Sequence, residues 1–275
     1  MKATDSRISS SSMAHPFATV ELFGLPFLDA PNEACVADHL ANYRPVVANP
    51  DRHPIVVTPN VDIVVQLERA KKRGLREQLA KCAYVLPDGA PIVWSAKWAR
   101  RPLEARIAGS TVFQHWWPRI ADAERRAVVL CSTQAVQNGL RAEHPSANVV
   151  VAPYIDTSDE QVGAVADDLV ATALAADAEY CVICIGHPKD AMIALAAVER
   201  WPADRPVPLF LCLGASAELY LGIKKRAPAW AQRCGLEWLV RFSQEPRRMF
   251  HRYFVRDLGF FPMAAREVLA ARRQR

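Results

Sequence analysis

A carboxylate placed for acid–base work stands in the stretch Y-V-L-P-D-G-A-P-I-V-W, from Tyr84 to Trp94. The apolar run Tyr84–Leu86 stops at Pro87 and delivers Asp88 and Gly89 to a strand end. Pro91 suits the first turn of the helix that follows, where its missing N–H costs nothing. Asp88 therefore lies between a strand and a helix N-terminus, the place where open α/β sheets bind ligands. Two roles fit an aspartate there: a general base, or the cap of an ordinary turn, since Asp-Gly is a common turn pair.

Other polar residues fall at the ends of apolar runs in the same way. Thr58 and Asn60 close P-I-V-V-T-P-N (54–60), Gly186-His187-Pro188-Lys189 follows Y-C-V-I-C-I, and Gly214-Ala215-Ser216 follows L-F-L-C-L. Strand-end residues of a parallel sheet converge on one rim, where a nucleotide cleft belongs. Pro188 at a helix start, with Lys189 beside it, fits a phosphate contact made by free N–H groups and a cation. A capped surface turn fits those two residues equally. No G-x-G-x-x-G, Walker A or D-x-D sequence is present, so an ordinary dinucleotide or P-loop protein is excluded.

The elements that must hold these residues are legible as alternating runs. Strands are expected at 18–23, 54–60, 84–86, 127–131, 149–152, 180–185 and 207–213. Helices are expected at 31–43, 61–80, 134–143, 158–176 and 188–200, with a further helix opening at Gly109-Ser110-Thr111. Each strand is continuously apolar instead of alternating, which indicates a largely parallel sheet with helices on both faces, an α/β fold. Three segments follow: a disordered leader over 1–16, an α/β body over 17–222, and a helical appendage over 223–275.

Composition sets the remaining bounds. The chain has 275 residues, 51% of them hydrophobic, enough for one large core. Its seven cysteines lie almost all within apolar runs. Cys181 and Cys184 have C-x-x-C spacing but sit inside a buried strand, not on the loop that a redox or zinc site needs. They read as core thiols of a reducing compartment. No apolar run is long enough to span a bilayer, and the N-terminus lacks the apolar region of a signal peptide. A cytoplasmic, non-spanning protein is expected.

Charge is unevenly spread. From Lys224 onward thirteen Lys and Arg stand against four acids, whereas the first 223 residues carry a net −4 of the total +5. A cationic C-terminal fifth points to a polyanionic or membrane-surface partner. After Pro246, Met249, Phe250, Tyr253 and Phe254 form one helical stripe, and Arg248, Arg252 and Arg256 recur beside it. A basic helix with aromatics suits an anionic membrane interface or a pyrophosphate. The same helix could pack on the body, or contact nucleic acid by stacking bases on its rings. The membrane reading is favoured because the rings and arginines share one short helix; nucleic acid is not the expected partner.

In order, T-x-N (Thr58, Asn60), D-G (Asp88, Gly89), R-x-A-G (Arg106 to Gly109), G-x-P-K (Gly186 to Lys189), K-R-A-P-x-W, G-L-E-W-L-x-R and E-P-x-R resemble the WecG/TagA/CpsF family of bacterial glycosyltransferases, including its GumM-like branch. The likeness runs from about Ile55 to Val255. It implies a Rossmann-like body whose C-terminal appendage closes over the site at the membrane. It also implies inverting, metal-independent transfer of a sugar from a UDP-sugar to a polyprenyl-diphosphate-linked saccharide. The setting is surface or exopolysaccharide biosynthesis on the inner membrane face, with no cofactor. By position, Asp88 is then the general base, and Thr58, Asn60 and Gly109 belong to the substrate pocket. Arg106, Arg241, Arg248 and Arg252 neutralise the diphosphate, and Tyr154 meets the nucleotide.

Three positions depart from the family pattern. Pro188-Lys189-Asp190-Ala191 stands where the family has P-K-Q-E, which leaves Asp190 as a partial substitute for a donor contact. Pro153 precedes Tyr154 in place of glycine, and Glu218 replaces an aspartate. The lost Q-E pair motivates a competing expectation, a catalytically inactive nucleotide-sugar-binding scaffold of a polysaccharide assembly system. The donor sugar and a homo-oligomeric state are left open by the sequence.

Overall fold

A computed structural model describes residues 16–47, 49, 51–68, 73–225, 227–228, 237–244, 246–251 and 256–273. The leader expected over 1–16 lies outside these residues except for Pro16. An eight-stranded sheet has the order β1-β2-β4-β3-β8-β7-β5-β6. Its strands are β1 (Ala18–Leu22), β2 (Leu25–Asp29), β3 (His53–Val57), β4 (Cys82–Val85), β5 (Ala127–Cys131), β6 (Asn148–Val151), β7 (Tyr180–Cys184) and β8 (Leu209–Cys212). All pairings are parallel except that of β1 with β2.

The fold is Rossmann-like α/β, as the continuously apolar strands imply. Successive residues of one strand feed opposite faces: Ile55 and Val57 join one core cluster, and Val56 between them joins the other. The first cluster takes in α2 (Val61–Glu68), α3 (Arg73–Ala80), α4 (Ala90–Trp98), α7 (Asp159–Ala175) and α8 (Lys189–Arg200). The second takes in α1 (Glu33–Ala41), α5 (Gly109–Asp122), α6 (Gln134–Glu143) and α9 (Ser216–Tyr220). Burial on both faces is what removes the polar alternation from the strands.

Three expectations are refined. The edge strand β2 was not foreseen. It pairs back on β1 through Phe23 and Gly24, both at positive φ, the geometry of a tight hairpin turn. The single helix expected over 61–80 is described as α2 and α3, with 69–72 outside the described residues. Cys181 and Cys184 are both buried, but they face opposite clusters, so neither a disulfide nor a chelate joins them. Burial pushes the Cys184 thiol up to about 12. Cys82, Cys131 and Cys212 are buried free thiols as well, whereas Cys35 is exposed and Cys234 lies outside the described residues.

Within the C-terminal segment, α10 (Glu237–Gln244) and α11 (Pro246–His251) precede a 3₁₀ turn at Asp257–Gly259 and α12 (Phe260–Arg273). This last helix packs on α2 and α4. Phe260, Met263 and Ala264 enter the first core cluster, and Phe260 meets Phe23 with ring centroids 5.3 Å apart. Arg256 pairs with Asp62 of α2, Nη2 donating to Oδ2 at 2.9 Å with Nε 2.7 Å from Oδ1. The end of the chain is thus anchored to the body close to the strand-end rim.

Candidate active site

β3 sits between β4 and β8, with Val57 opposite Val85 on one side and Cys212 on the other. Its C-terminal end therefore brings Thr58 and Asn60 beside the Asp88 turn after β4 and the Gly214 turn after β8. Hydrogen bonds fix this junction: Leu86 N–H donates to the Val57 carbonyl at 2.8 Å, and Asp88 N–H to the Pro59 carbonyl at 3.2 Å. Asn60 caps α2, its Oδ1 accepting from Ile63 N–H at 3.2 Å.

Asp88 is half-buried at this junction. Gly89, the N-cap of α4, has φ +137° and ψ 135°, a conformation open essentially to glycine alone. The Asp-Gly pair turns the chain sharply from β4 into α4 and leaves the carboxylate on the rim.

The R-x-A-G segment is strapped to the same turn. Ile107 N–H donates to the Pro87 carbonyl at 3.0 Å, so half-buried Arg106 and buried Gly109 stand on either side of that bond. Gly109 begins α5, whose axis is held by the fully buried Phe113, Trp116 and Trp117, with Trp116 edge-on to Tyr180 at 5.1 Å. A Cβ on Gly109 would come within 2.7 Å of Thr58 Cγ2. Only glycine lets the N-terminus of α5 approach the strand end this closely.

Thr58 is β-branched and stiff at χ1, so it cannot turn away from such a Cβ. Gly109→Ala is expected to lower kcat/KM about tenfold by displacing the Thr58 strand end, and to cost about 1–3 kcal/mol of stability. Gly139→Ala supplies the control: it makes an equally close contact, but with the flexible side chain of Leu221, the C-cap of α9. Kinetics and urea melts of the two variants check this. Equal kinetic losses in both would remove Gly109 from the pocket.

On the other side of β8, Gly186 and Gly214 approach closely, a Cβ on Gly214 lying 4.0 Å from Gly186 Cα. Asp190 is buried beneath them, and it lines a small cavity together with Thr58, Pro59 and His187. Its Oδ1 accepts from Ala191 N–H at 2.7 Å and lies 3.9 Å from His187 Nδ1. Desolvation raises its pKa to about 7, offset only in part by hydrogen bonds from the Ala191 and Gly214 main chain. The sequence marks His187 only as a strand-end residue of the G-x-P-K run and gives it no role of its own.

The raised pKa has a consequence for stability. Between pH 3.8, the ordinary aspartate value, and about 7, the folded protein holds a proton that the unfolded chain has released. That contribution is complete below the lower value and lost as pH rises through the upper one. Wild-type urea midpoints should fall across this window relative to those of Asp190→Asn, which keeps an acceptor for Ala191. Parallel midpoints from pH 4 to 8 would show Asp190 to be charged throughout.

Lys189, after β7, and Tyr154, after the edge strand β6, form a separate pair toward that edge. The Lys189 ammonium donates to the Ile155 carbonyl and stands 5.3 Å from the centroid of the Tyr154 ring, which is 94% exposed. Another cluster, not anticipated in full, joins Ser132 after β5 to Glu218 of α9. Ser132 Oγ donates to Glu218 Oε1 at 3.1 Å, and Lys224 pairs with the other carboxylate oxygen. Ser132 was legible only as the polar residue ending A-V-V-L-C. Arg241 and Arg248 belong to α10 and α11, but their side chains, and Arg252 altogether, lie outside the described residues.

The rim thus joins a carboxylate, an arginine-bearing strap and the N-termini of α5 and α8. Among the described residues, no group of three or more His, Cys, Asp or Glu could hold a metal ion. The chain is similar to the N-acetylglucosaminyldiphosphoundecaprenol N-acetyl-β-D-mannosaminyltransferase of Bacillus subtilis strain 168, with 27% identity over 70% of this chain and 73% of the relative. It is 23% identical to the enzyme of the same name from Staphylococcus aureus strain MW2, over 84% of this chain and 87% of the relative. The sequence profile of the WecG/TagA/CpsF glycosyl transferase family matches residues 20–274, nearly the whole sheet and its helices through α12. With motif order, fold and profile in agreement, the chain belongs to the WecG/TagA/CpsF family of glycosyltransferases.

Proposed function

We propose that the protein transfers a sugar from a UDP-sugar to a polyprenyl-diphosphate-linked saccharide, with inversion and without a metal ion, in the synthesis of a surface polysaccharide or exopolysaccharide. The placement of Asp88 carries this reading: a half-buried carboxylate at the C-terminal end of β4, next to the Thr58–Asn60 strand end and the close-packed start of α5. Asp88 takes the proton of an acceptor hydroxyl as that oxygen attacks the anomeric carbon. The bond from this carbon to the β-phosphate oxygen breaks, and its electron pair leaves with UDP.

Charge that develops on the departing diphosphate needs stabilisation. Arg106 and the N-terminus of α5, whose dipole and free N–H groups favour anions, adjoin the Asp88 turn through the Ile107–Pro87 bond. Arg241, Arg248 and Arg252 are the further candidates, and Tyr154 with Lys189 is assigned to the nucleotide end. The acceptor assignment draws on the names of the relatives, which act on a diphosphoundecaprenol-linked sugar. A lipid-linked acceptor makes the protein peripheral on the inner membrane face. No helix among the described residues is long and apolar enough to cross a membrane.

The test is transfer from radiolabelled UDP-N-acetylmannosamine, its uronic acid and UDP-glucose to a short-chain polyprenyl-diphosphate glycan, with and without EDTA. Transfer from one donor that survives EDTA is the expected result. Loss of all transfer in EDTA would overturn the metal-free mechanism, and no transfer from any donor would overturn the donor class.

A further inference from the structure

The helix that begins just after Asp88-Gly89 presents an unusual outer face. On α4, Ile92, Ser95 and Ala96 point into the core. Trp94 and Trp98, one turn apart on the opposite side, are 47% and 60% exposed. Lys97 is exposed between them, and exposed Arg100 and half-buried Arg101 follow at the helix end. From Trp94 to Arg106 the chain carries four cations and one acid, Glu104. By contrast Trp116, Trp117 and Trp201 are buried. α12 packs on α4, and Phe261 of α12 and Leu258 of the 3₁₀ turn before it are exposed as well.

Two exposed indoles flanked by cations have a defined chemical preference. Tryptophan partitions to the headgroup region of a bilayer, where its ring is half apolar and its N–H stays wet. Lysine and arginine beside it add attraction to anionic lipid. A second copy of the chain fits this face poorly. A two-fold contact centred on it would bring Lys97, Arg100 and Arg101 against their own counterparts, and like charges in juxtaposition oppose association.

We propose that the outer face of α4, formed by Trp94, Lys97 and Trp98 with Arg100 and Arg101 at its end, is a membrane-contact surface that seats the Asp88 rim against anionic headgroups. This footprint is formed by residues 94–101 of the body, not by the basic stripe after Pro246. It rests on the reading that the acceptor is lipid-linked: α4 springs from the residue after Gly89, so contact through α4 holds the proposed base near the headgroup plane.

The experiment uses the full chain with vesicles of phosphatidylcholine alone or mixed with phosphatidylglycerol, some containing brominated acyl chains. Wild-type fluorescence should be quenched by the brominated lipid, and Trp94→Phe/Trp98→Phe should lose most of that quenching. Trp94→Ser/Trp98→Ser should partition about tenfold less to the anionic vesicles, with an unchanged melting temperature. This variant should still transfer to a short-chain, water-soluble acceptor while losing transfer to a long-chain acceptor in vesicles. Unchanged quenching in the phenylalanine variant, or unchanged partition in the serine variant, would overturn the proposal. So would a change in oligomeric state with partition retained, which would assign the face to a second copy. Wild-type protein that transfers to neither acceptor would sink the transferase reading alone, since quenching and partition still report on α4.

Discussion

Asp88→Asn is expected to lower turnover by about 10²–10⁴-fold, the range a positioned general base contributes. The substitution keeps size and shape, and the bonds that build the turn are main-chain ones: Asp88 N–H to the Pro59 carbonyl and Ile107 N–H to the Pro87 carbonyl. Neither depends on the carboxylate. Gly89 retains its special conformation, so α4 still starts at Ala90. The loss should therefore appear in the chemical step, with UDP affinity within about twofold of wild type. Single-turnover transfer and calorimetric titration with UDP measure the two quantities separately. Turnover within a few-fold of wild type would leave Asp88 as a turn-forming residue, and the base would have to be sought elsewhere on the rim.

Deleting residues 256–275 is expected to cost on the order of 5 kcal/mol of folding stability. Phe260 and Met263 are buried in the body's own cluster, and each such side chain contributes about 1.5–3 kcal/mol by leaving water. The deletion also removes the Glu267 carboxylate that accepts from Phe23 N–H at 2.8 Å, and the Arg256 fork on Asp62. A loss of this size is comparable to the whole stability of a marginal domain, about 5–15 kcal/mol. The shortened protein should melt far below the full chain or fail to accumulate folded. A melting temperature within 2–3 °C of wild type, about what 1 kcal/mol moves in a chain of this size, would mean that α12 is a detachable attachment. Because the pair joins α12's approach to α2, whose cap is Asn60, the deletion should also disturb the pocket.

Much of this architecture could be read directly from the chain. Strands buried on both faces cannot alternate polar with apolar residues, so runs such as A-V-V-L-C and Y-C-V-I-C announce a parallel sheet by composition alone. Where such a run stops, the first polar residues must lie on the rim, which places Thr58, Asn60, Asp88 and Lys189 there from residue order alone. The edge hairpin escaped because L-F-G-L-P-F-L-D has its turn at Phe23-Gly24, and a phenylalanine at positive φ carries no sequence signal.

The tertiary structure decided which of these residues share a site. Local pattern places each residue at the end of its own strand, but not that β3 lies between β4 and β8, a choice made by long-range packing. That order gathers Thr58, Asn60, Asp88, Arg106 and Gly109 and leaves Tyr154 with Lys189 toward another edge. Burial is decided in the same way. Asp190 reads from the sequence as a partial substitute for a donor contact, yet the approach of the β7 and β8 turns closes over it and raises its pKa to about 7. α12 likewise reads as a basic tail, yet the burial of Phe260 and Met263 in the first core cluster and the pairing of Arg256 with Asp62, 194 positions apart, pack it against the body. Residue types and spacing determined the chemistry that was possible. The contacts between distant segments decided where it is assembled, because desolvation and close approach are properties of neighbours that the chain order does not specify.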